Sequence, residues 1–355
     1  MYDLIIVGAG PVGSHLAKEK AGEDWEVLVI ERSDEIGRPL ACSGHVSPDI
    51  WNFVPEDAEQ GLLQNRIKGA RFHTGKNFTE EFYSQETVSY VIDRVELDML
   101  KAEEAEKAGA EIHTGETVEE VEEENGRVKV VTDRENYESR YVAGCDGASS
   151  TVREEVGLPE PDMFLQGILC FTDEKDASDR VDVFLEVPEF FGWRIPRSDS
   201  VEYGAAVPRG EEPLKWLNRI TEGYVEDERR ENFCAGAIPV GAPDEVATDR
   251  VFLVGDAAAQ TKPFTGGGIL YGMRCAEIAA EALSLEDSGL EEYEQGWRSE
   301  LGREMRIGEL IRRSYSWPEL IQRAGMNFFS GEIGVHMDRP TTLFSFKQLK
   351  SLLRD

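Results

Sequence analysis

Residues 2–32 constrain this chain more than any other stretch. Residues 2–7 (YDLIIV) are almost wholly apolar and largely β-branched, the composition of a strand buried on both faces of a parallel sheet. Glycines follow at once as Gly8-x-Gly10-x-x-Gly13 and open a helical stretch at residues 11–20. Residues 27–30 (VLVI) repeat the strand signature and run into Glu31. The unit is βαβ with an acid at its far end. Its spacing has a physical reason: Gly8 permits a tight turn, Gly10 lets backbone approach a pyrophosphate, and Gly13 lets helix and strand pack closely. The helix N-terminus offers free N–H groups and positive dipole to phosphate. Glu31 can accept from both hydroxyls of an unphosphorylated adenosine ribose, as in FAD or NAD. A glycine-rich turn that serves packing alone is the alternative, and the strand, helix, strand and acid around the triplet weigh against it.

The parallel-sheet texture returns late. Residues 251–254 (VFLV) read as a short buried strand, Gly255-Asp256 as its turn, and residues 263–269 as a glycine-rich lead, through Gly267, Gly268 and Ile269, into a helix to about 285. Earlier, strands are expected at 69–73 and 87–91, a helix from Asp93-Arg94 to Lys107, and strands at 111–113, 117–122, 127–132 and 137–143. The last runs into Gly144-Cys145-Asp146-Gly147 and a Ser150-capped helix at 150–156. From 158 to 243 the pattern changes to period two (166–171, 180–187, 201–207) with one helix near 213–227, an antiparallel sheet with one covered face. The expected fold is therefore α/β, a split, doubly wound Rossmann-like domain (1–65, 93–157, 244–286) with an inserted antiparallel-sheet α+β substrate domain (66–92, 158–243) and a helical C-terminal region (287–355).

Charge limits the partners. A net charge of −32, from 70 acidic and 38 basic residues, argues against nucleic acid. With 12 Lys against 26 Arg, this acidic, lysine-poor surface resembles that of proteins from salt-loving archaea, where molar salt screens self-repulsion. Five cysteines without C-x-x-C or zinc spacing argue against a metal site or a disulfide framework and suit a reducing cytoplasm. Neither a leader nor an apolar run of roughly 18 residues is read, which points to a cytoplasmic protein, free or at the inner face of the membrane. From Trp297 onward there are 10 basic and 7 acidic residues, against 28 and 63 before it. Interspersed with Leu310, Ile311, Trp317, Phe328, Phe329, Phe344 and Phe346, this tail is open to two readings. It contacts an anionic bilayer, or it caps a pocket, the commoner use of amphipathic helices.

Residues 37–48 form a turn-rich loop dense in reactive side chains, Arg38, Cys42, Ser43, Gly44 and His45 among them. It is a candidate active-site loop. A packed cysteine and a capping serine in a turn compete with that reading, and Cys42 and His45 have no third ligand or base nearby for metal or nucleophilic chemistry.

Three motifs stand in fixed order: Gly8-x-Gly10-x-x-Gly13 with Glu31, Gly144-Cys145-Asp146-Gly147, and Gly255-Asp256. With Arg94 at its helix start, the set resembles the flavoprotein superfamily of aromatic hydroxylases over about residues 1–285. Within it, Pro39-x-x-Cys42-Ser43-Gly44 and Phe191-x-Trp193-x-Ile195-Pro196-x7-Gly204 resemble the geranylgeranyl reductase family. The resemblance implies FAD, held at Val12, Glu31, Cys42, Ser43, Arg94, Val118, Asp256, Gly268 and Ile269. Gly8, Gly10, Gly13, Arg32, Arg38, Gly44, Asp146 and Gly267 join that site through the same motifs. It implies a lipid tunnel walled by Phe191 and Trp193, with Ile195 and Gly204 in the same motif. The family usually has Tyr at the position of Phe191, Phe at that of Ile195, and often Gly or Ala at that of His45.

The expected activity is FAD-dependent saturation of C=C bonds in the geranylgeranyl chains of archaeal membrane lipids or related isoprenoids. It needs a hydride from reduced flavin N5, a dry pocket and a proton donor, for which Cys42 and His45 are candidates by position. No second Gly-x-Gly-x-x-Gly unit exists, so electrons come from a visiting NAD(P)H or a ferredoxin-like carrier. The alternatives are an FAD-dependent monooxygenase or halogenase of the same fold, a menaquinone side-chain reductase, and a flavoprotein of electron transfer alone.

Overall fold

The computed structural model describes residues 1–344 apart from Glu23, Ala41, Lys76, Asn77, Asp287, Ser288, Ser330 and residues 333–335. Phe346 lies outside the described residues, as do the side chains of Phe328, Phe329 and Phe344.

A run of apolar residues long enough to make a strand, with no polar alternation, must be covered on both sides. Strand Tyr2–Val7 meets that demand, with Leu4, Ile5 and Ile6 fully buried. It lies between the parallel strands Val27–Glu31 and Asn136–Gly144, with Ile6 opposite Val29 and Ala143. Glu111–Thr114 extends this sheet on one side, while Val251–Leu253 and the antiparallel pair Arg127–Thr132 and Val118–Glu124 complete it on the other. Helix Pro11–Lys20 packs between Arg94–Ala108 and Ile269–Ala282, so two distant helices converge on the one that follows the glycine loop.

A second, eight-stranded sheet has the order Arg230–Val240, Met163–Thr172, Val201–Pro208, Gly192–Pro196, Arg180–Phe184, Gly69–Thr74, Phe78–Tyr83 and Gly331–Glu332. Most neighbours are antiparallel. The long strand Arg230–Val240 was not expected, because its small and charged residues are largely exposed and leave no period-two signal. The strand expected at 180–187 ends at Phe184, and the helix expected at 213–227 is Pro213–Thr221. The boundary expected between residues 65 and 66 falls inside strand Leu63–Ile67. That strand pairs with Ser89–Ile92 in a small third sheet with His45–Val46 and does not join the large antiparallel one.

The C-terminal region is helical, as Leu290–Ser314 and Glu319–Phe329, with the break at Pro318. Tyr293 and Trp297 are fully buried in the main core, which anchors the long helix. Among the described residues no helix is long and apolar enough to cross a membrane.

Candidate functional site

A continuous cavity of about 1160 Å³ runs from the first glycine loop, past the 37–48 loop and the Gly267–Gly268 turn, to the aromatic strand of the large sheet and the C-terminal helices. Its two ends are made differently.

At the glycine end the walls are backbone. Gly8 has φ +103°, and a Cβ there would lie 2.5 Å from the Cys145 carbonyl oxygen, so the first and second motifs touch. A Cβ on Gly13 would overlap the Gly8 carbonyl oxygen, whereas one on Gly10 would meet nothing within 4 Å. Two of the glycines are therefore required by packing and the third leaves open space at a helix N-terminus. Glu31 Oε2 accepts from Ala9 N at 2.9 Å and Oε1 from Ser33 N at 2.8 Å, which orients the carboxylate and leaves lone pairs for hydroxyls. Val12 packs under Gly255 and Gly272, and Val118 is buried in the wall. Arg32 and Arg38 stand at the rim, Arg38 exposed with Glu35 at 3.5 Å.

The middle of the cavity gathers the charged groups. Arg94 Nη2 holds Asp98 at 2.9 and 3.1 Å and lies against Cys42, whose Sγ accepts from Gly44 N at 3.5 Å. A Cβ on Gly44 would overlap the Ile92 carbonyl oxygen. Asp146 Oδ2 caps Val152 N at 3.1 Å, while its Oδ1 is buried without a partner; burial raises its pKa. Asp256 is pushed up to about 6 by burial against the opposing pull of Arg94, and a Cβ on Gly268 would overlap its Oδ1. Gly268 caps helix Ile269–Ala282, so the first N–H groups of that helix open into the same space. His45 Nε2 is 2.7 Å from Ser89 Oγ, and burial, with Lys262 and Arg197 adding to it, lowers the imidazole to about 4. It is neutral at pH 7.

The far end is apolar. Phe190 and Phe191 stack at 4.2 Å, Trp193 meets Phe191 edge-on at 6.1 Å, and Tyr315 from the C-terminal region closes on Phe191 at 5.9 Å. Trp193 stands opposite Gly204 in the strand register, and any Cβ there would overlap the indole, which accounts for the spacing between the two. Ile195 is buried beside Ile67, Val91 and Val181.

Sequence reasoning missed several cavity residues. Lys262 is 3% exposed, its Nζ is 2.5 Å from Asp338 Oδ1, and Ser47 donates to the other oxygen of that carboxylate. A lysine just ahead of a glycine-rich turn was the available signal. Arg197 and Glu202 form a buried pair at 2.6 Å, and Tyr315, Trp317, Ile321 and Met326 line the distal cavity. Only contact across more than 100 residues brings the last four to the site. Asp49, His336 and Asp338 come close enough to hold a cation, but Asp338 already neutralises Lys262.

The cradle fits FAD on its own geometry: open space at Gly10 beside a helix N-terminus, an oriented Glu31 carboxylate, and an unpartnered buried Asp146 oxygen. The FAD binding domain family matches residues 53–294. A digeranylgeranylglycerophospholipid reductase of Methanothrix thermoacetophila is 31% identical over 332 residues, covering 85% of this chain and 84% of that one. The enzyme of that name from Methanocaldococcus jannaschii is 29% identical, covering 84% and 82%. Among solved structures, a geranylgeranyl bacteriochlorophyll reductase-like protein of Thermoplasma acidophilum superposes with TM-score 0.84 at 22% identity, over 99% of both chains. A p-nitrophenol 4-monooxygenase of Pseudomonas putida reaches 0.75 at 18%, over 99% and 97%.

Proposed function

This chain belongs to the digeranylgeranylglycerophospholipid reductase family, within the FAD binding domain family, and from that premise we infer that it saturates the geranylgeranyl chains of an archaeal membrane lipid. It is an FAD-dependent oxidoreductase. The observation that carries the substrate reading is the continuity of one cavity from the glycine-walled cradle to an apolar tunnel of stacked rings. A phenol-sized substrate has no use for a wall that continues through Tyr315 to Trp317 and Ile321. The fold itself does not choose, since it recurs in a monooxygenase and a brominase.

Bound and reduced, FAD supplies the hydride for one alkene carbon. The chain's residues do the rest. Gly8, Gly10 and Glu31 hold the adenosine and pyrophosphate end, with Val12, Val118, Arg32 and Arg38 around it, while Gly13 lies behind the wall and lets the helix pack on the Gly8 carbonyl. Arg94, Asp146, Asp256, Cys42 and Ser43 surround the middle, with Gly44 behind them against the Ile92 carbonyl, while Gly267, Gly268 and Ile269 present helix N–H groups where negative charge develops. Phe191, Trp193 and Ile195 align the polyprenyl chain and exclude water, with Gly204 seating the Trp193 ring from behind. Of the two candidate proton donors, His45 is held neutral and gives up a proton reluctantly, whereas the Cys42 side chain lies against Arg94 in the cavity wall. Cys42 is the donor in this reading, on a loop that lines the cavity beside Arg94.

Leu310, Trp317, Leu320 and Ile321 are 63%, 53%, 80% and 51% exposed, and Trp317 and Ile321 also line the cavity. The mouth of the tunnel therefore carries an apolar patch that lies on the inner face of an anionic membrane, from which a lipid enters without crossing water. The acidic, lysine-poor surface fits a high-salt cytoplasm. Electrons reach the flavin from NAD(P)H or a ferredoxin-like carrier. The test is anaerobic incubation of dithionite-reduced holoenzyme with digeranylgeranylglycerophospholipid and, separately, menaquinone, read by mass spectrometry. Two hydrogens gained per double bond in the phospholipid supports the reading. Gain only in menaquinone moves the substrate, and gain in neither overturns the activity.

A further inference from the structure

The wall of the tunnel and the loop that carries Cys42 are joined by a buried polar chain. Trp193 Nε1 donates to Glu202 Oε1 at 2.8 Å, and Glu202 Oε2 accepts from Arg197 Nη1 at 2.6 Å. The same Nη1 donates to the Ser43 carbonyl at 2.6 Å, Nη2 to the Ile92 carbonyl at 3.2 Å, and Nε to Gln64 Oε1 at 2.8 Å. Glu202 is 0% and Arg197 6% exposed. The loop in turn folds on itself, with Gly44 N donating to Cys42 Sγ at 3.5 Å and His45 N to Ser43 Oγ at 3.4 Å. A shift of the Ser43 carbonyl is thereby a shift of Cys42.

A fully desolvated ion pair gives little net stability over an apolar pair of similar volume. Stability alone also gives no reason for its two ends to terminate on a tunnel ring and an active-site carbonyl. Resting on the substrate reading above, we propose that Arg197 and Glu202 are positioning residues that couple the Trp193 wall to the Cys42–Gly44 loop, so that a polyprenyl chain pressing on the indole resets the loop beside the flavin. Trp193 is suited to this. Its ring rests on Gly204 with no room to yield that way, Phe191 meets it edge-on, and its one polar atom is held by Glu202.

The experiment uses FAD-loaded enzyme with digeranylgeranylglycerophospholipid in detergent micelles. Bound lipid is measured by gel filtration, and the flavin visible difference spectrum is recorded at saturation. Wild type shows a spectral change. Trp193→Phe removes the indole N–H and leaves the charges paired; Arg197→Lys keeps the charge and loses the forked geometry. Each lowers the saturating amplitude at least threefold, and the double variant loses no more than the larger single loss. Amplitudes kept within a factor of 1.5 in both single variants, or losses that multiply in the double variant, overturn the coupling. So does a wild type that binds lipid without any spectral change. A wild type that takes up no lipid overturns the substrate reading and the coupling with it, so the two failures are told apart. If Arg197→Lys does not fold, Trp193→Phe alone decides.

Discussion

The glycine end and the aromatic end of the cavity are made of different material. At the first, backbone of residues 8–13 approaches itself and that of 144–147, residues 255–268 close on it through short side-chain contacts, and glycines stand at the tightest points. At the second, rings and buried charges from the large sheet and the C-terminal helices meet across the fold. A backbone site tolerates almost no atom added at its packing positions, while a side-chain site can repack. The largest effect is therefore expected at Gly13. Alanine there puts a Cβ onto the Gly8 carbonyl oxygen, and strand and helix must part. The expected loss is more than about 3 kcal/mol of stability, read by denaturant unfolding of the apoprotein. Unfolding unchanged to within about 1 kcal/mol would break the comparison at its root.

Gly10 sharpens the same contrast, because its space is empty of protein atoms. Gly10→Val should leave apoprotein stability within about 1 kcal/mol, as a substitution at a helix N-cap. It should weaken FAD at least about 100-fold, since the added methyls occupy the space of the pyrophosphate. Flavin retained through gel filtration at wild-type stoichiometry would remove Gly10 from the cofactor site.

The same difference explains what could be read in advance. The first end was legible because a tight turn, a close approach and a helix N-terminus each demand a residue type at a fixed local spacing, so Gly8, Gly10, Gly13 and Glu31 announced themselves within one short stretch. Gly44 stood out in its loop, whereas Gly204 came only with the motif that resembles the geranylgeranyl reductase family, and the strand register now gives the reason for its spacing from Trp193. Tyr315, Arg197 and Glu202 carry no local signature: a buried arginine and an exposed one look alike in sequence, and pairing register alone brings Glu202 beside the tryptophan. Strand Arg230–Val240 was illegible for a related reason, since its mostly exposed residues are not patterned by a core.

Acid should act through two buried histidines, one on the helix after the glycine loop and one in the middle of the cavity. Burial, with Lys101 and Lys18 nearby, lowers His15 on the glycine-loop helix to about 3, and burial lowers His45 to about 4. Their folded pKa values lie below the ordinary 6.5, so the unfolded chain takes up protons first and stability falls as pH drops from 6.5 towards 4. Asp256 opposes this, because its folded pKa of about 6 lies above the unfolded value and protonation below pH 6 favours the fold. Asp98, Asp146 and Glu202, raised by burial, act in the same sense as Asp256, so the histidines' part is read by substitution rather than from the net slope. His15→Gln should flatten the dependence of apoprotein Tm on pH. An unchanged slope would mean that His15 already titrates normally in the fold.

Gly204→Ala is the aromatic end's counterpart to Gly13→Ala and should be milder. The new Cβ displaces the indole into the tunnel, where the cavity can take it, and the glycine-walled cradle feels it only through the Glu202–Arg197 chain to the Ser43 carbonyl. Lipid affinity is expected to fall about tenfold, worth roughly 1.4 kcal/mol, with FAD content unchanged. Loss of flavin in step with loss of lipid binding would show that the two ends are less separate than their construction implies.

The smallest effect is expected where the aromatic end opens to the outside. Leu310 and Leu320 are 63% and 80% exposed, so they add little to the fold, and aspartate at both should leave unfolding within about 0.5 kcal/mol of wild type. Association with anionic vesicles should nevertheless fall about fivefold, because two apolar anchors become two charges that the bilayer repels. Uncharged vesicles should show a smaller change, as the repulsion is removed and only the apolar loss remains. If the doubly substituted protein binds both kinds of vesicle as wild type does, the C-terminal helices only close the tunnel and the lipid enters by another route. A selective loss on anionic vesicles would instead place the bilayer at Trp317 and Ile321, the two residues shared by the exposed patch and the cavity wall.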